Sequence, residues 1–187
     1  TVDRTQRELA AEICATLAFS ALQNNDKIGV IFFTDQVEKF IPPQKGRKHV
    51  LYIIRELLNF EPKGKRTDVT VAMEYLMKVI TKRSITFVIS DFLDTRDFSR
   101  PLLVAARKHD LVGLRLYDSR MASLPDVGLL KIVDAETGHE QFIDTSSRAV
   151  RQQQQAWWRT EEQRLDTLFR KNGVDYASIA THADYVK

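Results

Sequence analysis

Hydrophobic positions change their period several times along the chain, and each change marks an element. Leu9, Ile13, Leu17 and Ala21 recur at every fourth residue, with Arg7, Glu8, Glu12 and Gln23 elsewhere on the wheel, which predicts an amphipathic helix over about Arg4 to Gln23. Asn24-Asn25-Asp26 is its stop signal. Ile28 to Phe33 is then apolar without interruption and too short for a helix, the pattern of a central strand covered on both faces. Thr34-Asp35-Gln36 predicts a tight turn. Val37 to Ile41, interrupted by Glu38 and Lys39, predicts a short antiparallel edge strand that ends at Pro42-Pro43.

Val50, Ile53, Ile54, Leu57 and Leu58 return to helical spacing, and Glu61 to Arg66 reads as a polar loop. A helix is predicted from about Asp68 to Thr81, burying Ala72, Met73, Leu76, Met77 and Ile80. Ile85 to Ser90 is another apolar strand, Phe98 to His109 a short helix with Pro101 in its first turn, and Leu111 to Tyr117 a third buried strand. Beyond it Asp118 to Val127 reads as a polar loop. Leu129–Asp134 and Glu140–Asp144 flank a turn at Ala135-Glu136-Thr137-Gly138, a β-hairpin pattern. About Ser146 to Lys171 is a long helix with Trp158, Leu165, Leu168 and Phe169 as its apolar stripe, and Asn172-Gly173 is its C-cap signal. Val174 to Thr181 reads as a last strand, and the tail from His182 as an exposed end.

Strands alternating with helices predict an α/β fold: an open, doubly wound, mostly parallel sheet with helices on both faces and an inserted hairpin at about 128–144. The 187 residues make one domain by length, and an apolar share of 43% is enough for a core, which excludes wholesale disorder. Net charge is +3, with both signs spread along the chain, so nothing in the pattern asks for nucleic acid. No apolar run approaches the roughly 18 residues of a membrane span, and no signal-peptide core opens the chain. A single cysteine, Cys14, cannot form an internal disulfide; it favours a reducing compartment, and a cytoplasmic location is the expectation. On an apolar helix face, Cys14 reads as an inert buried thiol.

In open α/β sheets ligands bind at the carboxyl ends of strands, which directs attention to Thr34-Asp35, Ser90-Asp91 and Tyr117-Asp118. Asp91 directly follows a buried strand; a carboxylate there can coordinate a hard cation, act as a nucleophile or cap the next turn. Thr67, in Lys65-Arg66-Thr67-Asp68, reads as the N-cap of the following helix, with Asp68 facing the helix N-terminus. A hydroxyl and a carboxylate on neighbouring loop tips can also share Mg2+, which accepts oxygen ligands and keeps several waters. Other chemistry lacks its pattern. His49, His109, His139 and His182 are scattered without zinc spacing. Ser90 has no G-x-S-x-G around it, and neither G-x-G-x-x-G nor a P-loop occurs. Asp91 and Asp94 are three apart rather than two, which keeps a phosphoaspartate enzyme open but weakly signalled. Trp157 and Trp158 read as helix-packing residues.

The order of these segments resembles a known family. A first helix, Lys27-Ile28-Gly29-Val30-Ile31-Phe32-Phe33, a short edge strand, Thr67-Asp68 opening a helix through Ala72-Met73-Glu74, and Phe87-Val88-Ile89-Ser90-Asp91-Phe92 together resemble a von Willebrand factor type A domain. More narrowly they resemble the bacterial proteins grouped as domain of unknown function 58. Leu124-Pro125-Asp126-Val127-Gly128 and Asp134-Ala135-Glu136-Thr137-Gly138 strengthen the narrower match. The resemblance implies a metal-ion-dependent adhesion site made by three loops, carrying Asp-x-Ser-x-Ser, a Thr and an Asp in turn. Thr67 matches the second loop and Asp91 the third. The first loop has no match; Asp97-Phe98-Ser99-Arg100-Pro101 and Asp144-Thr145-Ser146-Ser147-Arg148 come nearest and lack the final serine.

Three expectations follow from that resemblance. The chain is one von Willebrand A-like domain over 1–187 without its first strand, so Mg2+ (or Mn2+) belongs to the intact protein and is not held tightly by this chain. The family's central slot, between the Ile28–Phe33 and Ile85–Ser90 strands, is filled by another segment or a neighbouring copy, or the sheet closes up. The function is non-catalytic protein recognition, in which a partner's carboxylate completes the cation, with a MoxR-type AAA+ ATPase and other von Willebrand A proteins as partners. A Mg2+-dependent phosphohydrolase with Asp91 as nucleophile and Asp94 as helper, and a scaffold without ligand, are the alternatives.

Overall fold

The computed structural model describes residues 5–64, 66–93, 96–133 and 140–181. They form two compact units: residues up to Ser84 together with Leu93–His109, and Ile85–Phe92 together with the residues from Asp110 onward.

The first unit opens with α1 (Gln6–Gln23), whose start is a reciprocal cap. The Glu8 amide donates to Thr5 Oγ1 at 3.2 Å and the Thr5 amide to Glu8 Oε2 at 2.8 Å, so two of the helix's orphan donors are satisfied. β1 (Ile28–Phe33) and β2 (Val37–Gln44) pair antiparallel around the predicted turn, where the Thr34 amide donates to the Gln36 carbonyl at 2.8 Å. β2 runs through Pro42 and Pro43 instead of ending at them. Among the described residues β2 has β1 on one side only, and the register slips between Ile28 and Val30, so the missing proline N–H groups cost little. The close crossing requires Gly29, where a Cβ would lie 2.7 Å from the Ile41 carbonyl oxygen.

The predicted cover on both faces of β1 is not reached: Phe32 alone in it is buried. An apolar run states what a strand can bury, while burial itself needs neighbours, and β1 pairs with β2 alone among the described residues. Phe32 and Ile41 pack with Ile53 of α2 (Arg47–Asn59). Phe40, pointing to the opposite face, meets Tyr75 of α3 (Val69–Val79) edge-on at 5.6 Å. The ribbon therefore carries a helix on each face. α4 (Ser99–Lys108) packs on α3 and ends at His109, whose Nδ1 shares a 3.0 Å hydrogen bond with Ser84.

The second unit is built on a parallel sheet of β3 (Ile85–Ser90), β4 (Asp110–Tyr117) and a C-terminal strand (Asp175–Ala180), with β4 in the middle. Ser90, Arg115 and Ser178 are in register across it. β3 also departs from its pattern: Ile85 and Phe87 are exposed, at 70% and 39%. The predicted loop after β4 contains one helical turn, α5 (Ser119–Ala122), capped by Asp118 Oδ1 accepting from the Arg120 amide at 2.9 Å. β5 (Leu129–Val133) and β6 (Glu140–Asp144) form the expected hairpin, whose turn lies outside the described residues. α6 (Arg148–Lys171) leads through Asn172 and Gly173, at φ 65°, into that C-terminal strand, β7. α6 lies on the sheet through Trp158, Leu165 and Phe169; a Cβ on Gly113 would sit 2.7 Å from the Phe169 ring. No helix among the described residues is long and apolar enough to cross a membrane.

Candidate functional site

In the first unit, the loop that carries Thr67 is fastened to the end of β1. Glu38 Oε1 accepts from Thr34 Oγ1 at 2.9 Å, from the Gly64 amide at 2.8 Å and from the Lys63 amide at 3.1 Å. These bonds, the one from Gly64 first, hold the Glu38 carboxyl below its ordinary range. The loop comes so close that a Cβ on Gly64 would stand 2.3 Å from Thr34 Oγ1 and 2.5 Å from Asp35 Oδ1. The Asp68 amide then donates to the Thr34 carbonyl at 3.1 Å, which brings the start of α3 to the turn after β1.

Asp68, not Thr67, caps α3. Its Oδ1 accepts from the Thr70 amide at 2.9 Å, and its Oδ2 pairs with Arg96 Nη1 at 2.6 Å, with the carboxylate almost wholly buried. The physical reason is a shift of one residue in the helix start: Val69 is fully buried and becomes the first helical position, so the residue before it takes the cap. Thr67 is half-buried and precedes the cap.

In the second unit, Asp91 is the first residue beyond β3 and is half-buried. Ser90 Oγ donates to Asp91 Oδ1 at 3.4 Å and accepts from the Phe92 amide at 3.1 Å. Phe92 has φ 54°, a left-handed backbone that bulky residues rarely adopt, and its side chain is fully buried. Its ring packs edge-on against Phe169 at 5.1 Å and Tyr176 at 6.5 Å, contacts that hold the strained turn.

The Asp91 carbonyl accepts from Arg115 Nε at 3.1 Å. Arg115 is completely buried, lies 4.0 Å over the Trp158 ring, and donates from Nη1 to Glu162 Oε2 at 2.6 Å. Glu162 Oε1 accepts from Ser178 Oγ at 2.6 Å and from the Tyr176 hydroxyl at 3.4 Å. Burial pushes the Tyr176 phenol above its ordinary value, so it stays a neutral hydroxyl. Neither Arg115 nor Glu162 stood out in the sequence reading. The available signal was an arginine inside the apolar run Leu111 to Tyr117, since a buried guanidinium needs an anionic or carbonyl partner.

Thr67 belongs to the first unit and Asp91 to the second, and each is defined by its own surroundings. Asp94, His139 and His182 lie outside the described residues. The donors present do not complete a Mg2+ site: one hydroxyl and one carboxylate fall short of the oxygen shell Mg2+ demands. Among the described residues no three His, Cys, Asp or Glu side chains converge to hold a metal ion. Burial raises the Cys14 thiol to about 11, which keeps it protonated. Two shallow concavities occur elsewhere in the second unit. One, of about 350 Å³, is lined by Glu162, Asp166, Tyr176 and Ser178; the other, of about 260 Å³, by Arg148, Arg151 and Gln155.

Parallel sheet, covering helices and antiparallel hairpins define a mixed α/β protein with its turns of interest at strand carboxyl ends. The family described as protein of unknown function DUF58 matches residues 1–164, and the chain belongs to that family. Uncharacterised proteins of Mycobacterium bovis and Mycobacterium tuberculosis are 30% identical to it over 147 residues, which is 76% of this chain and 46% of theirs. The chain thus spans just under half the length of these relatives. Its fold is similar to the crystal structure of the conserved hypothetical protein BatB from Bacteroides thetaiotaomicron, with a TM-score of 0.61, 16% identity, and coverage of 95% of this chain and 82% of that one. It is also similar to an aerotolerance-related membrane protein from Bacteroides fragilis, with a TM-score of 0.60, 16% identity, and coverage of 92% and 80%.

Proposed function

We propose that this chain is a non-catalytic protein-interaction domain of von Willebrand A type, with Thr67 of the first unit and Asp91 of the second as its candidate metal ligands. One observation carries the reading: Asp91 directly follows the carboxyl end of a strand, and the loop of Thr67 is held against the turn after another. Asp91 follows β3 directly, and Thr67 sits beside Asp68, whose amide is bonded to Thr34 just after β1. Ligands of open α/β sheets bind at such ends. Membership of DUF58 and the fold shared with BatB support the same reading.

In the intact protein the Thr67 hydroxyl and the Asp91 carboxylate act as oxygen donors toward Mg2+ (or Mn2+), and a partner's carboxylate docks there. The Asp-x-Ser-x-Ser loop that the resemblance calls for is not in this sequence, so the chain alone holds the cation weakly. The proposed partners are a MoxR-type AAA+ ATPase and other von Willebrand A proteins in a cytoplasmic setting, without nucleic acid. Self-association through the central strand slot that the resemblance implies belongs to the same proposal.

The test is binding of a MoxR-type ATPase by the intact protein, by titration calorimetry in Mg2+ and in EDTA, for wild type, Asp91→Ala and Thr67→Ala. The expected result is Mg2+-dependent binding that weakens at least about tenfold in either variant, the loss of one oxygen ligand of the cation. Binding that is indifferent to EDTA and to Asp91→Ala overturns the reading.

A further inference from the structure

We propose that Arg115 is the positioning residue of the Asp91 turn, and that α6 sets it through Glu162. The functional meaning of this inference rests on Asp91 being a docking residue; its geometry does not. The last ladder pair between β3 and β4 joins Ser90 to Arg115, so the Asp91 carbonyl lies beyond the ladder. Arg115 Nε supplies the donor at 3.1 Å that the strand no longer can. Fixing that carbonyl fixes the peptide between Asp91 and Phe92, and the left-handed φ of Phe92 carries the chain sharply away. The direction of the Asp91 side chain follows from these two constraints.

Packing alone does not account for an arginine at this position. Leu114 and Leu116 flank it, and a completely buried guanidinium is costly unless its charge is paired. Here Nε holds the Asp91 carbonyl, Nη1 holds Glu162 at 2.6 Å, and the guanidinium face lies on Trp158 at 4.0 Å, while Nη2 is buried without a hydrogen-bond partner among the described residues. Two of those three partners are on α6. Glu162 is itself seated by Ser178 of β7 at 2.6 Å. A continuous polar line therefore runs from β7 through Glu162 and Arg115 to Asp91, and a shift of α6 along the sheet is transmitted to the turn.

The experiment compares amide hydrogen exchange in wild type, Arg115→Met, Arg115→Lys and Glu162→Gln. The Phe92 amide, bonded to Ser90 Oγ, reports the turn, and the amides of Val112 to Leu114 report the sheet. Arg115→Met is expected to speed Phe92 exchange about tenfold relative to the β4 amides, as loss of a hydrogen bond from a charged donor does. Arg115→Lys, with one donor group instead of a fork, falls between that variant and wild type. Equal changes at Phe92 and in β4 overturn the proposal. Should Arg115→Met fail to fold, Glu162→Gln decides: it leaves an acceptor in place and withdraws the counter-charge, and selective loosening at Phe92 is again required. Binding of the MoxR-type ATPase by the intact protein separates the two readings. If Asp91→Ala leaves binding unchanged, the docking function fails while the exchange result stands. If Asp91→Ala abolishes binding and a folded Arg115→Met leaves it unchanged, the positioning role fails.

Discussion

Arg115 of β4 and Glu162 of α6 meet at 2.6 Å, the guanidinium wholly buried and the glutamate side chain 34% exposed. Breaking such a pair from the acidic side strands a buried cation. Removing one partner of a fully buried pair costs about 3–5 kcal/mol, and the partial exposure of Glu162 lowers the expectation for Glu162→Ala to about 2 kcal/mol. Urea denaturation checks it. A double variant with Arg115→Met and Glu162→Leu is expected to be more stable than the two single effects added, because no unpaired charge remains.

The Glu38 carboxyl gives a pH dependence of known sign. Its folded value lies below the ordinary 4.5, so its contribution to stability is complete above that value and is lost as pH falls from there through the folded value. Thermal midpoints measured downward from pH 6 are expected to fall more steeply in wild type than in Glu38→Gln, which has no such proton to take up. Equal slopes would show that the loop clamp does not draw on this charge.

Gly64 tests the close approach of the Thr67 loop. A methyl group there would collide with Thr34 Oγ1, which cannot swing away freely because it donates to Glu38. Gly64→Ala is expected to destabilise by about 1–3 kcal/mol, the range for forced overpacking. Its amide resonances at Lys63 to Asp68 should shift while those of β4 stay in place.

Asp68 separates capping from charge. Asp68→Ala removes the acceptor for the Thr70 amide and the partner of Arg96, at an expected cost of about 1–2 kcal/mol. Asp68→Asn keeps the cap and is expected to cost about half as much, since Arg96 is mostly in water and its ion pair is worth little. Chemical denaturation of both variants distinguishes the contributions.

Of the residues around the two candidate positions, only some were legible. Thr67 and Asp91 stood out because hydroxyls and carboxylates just past apolar strands are local signals, visible within a few residues. Assigning the cap to Thr67 erred by one position, since the burial of Val69 moved the helix start. Arg115 and Glu162 were missed because their partners are 24 and 47 residues away in sequence, and no spacing rule connects them.

Local periodicity and turn chemistry, which depend on neighbours a few residues apart, were enough to assign every long helix and strand and the α/β class. Burial is a property of neighbours across space, and it followed different rules. Only the folded chain left Ile85 and Phe87 of an apolar strand in water, and carried β2 through two prolines along an edge. It also buried one arginine among leucines. Hydrophobic pattern states what a segment can hide, while long-range pairing settles what is hidden and which charges must meet when it is.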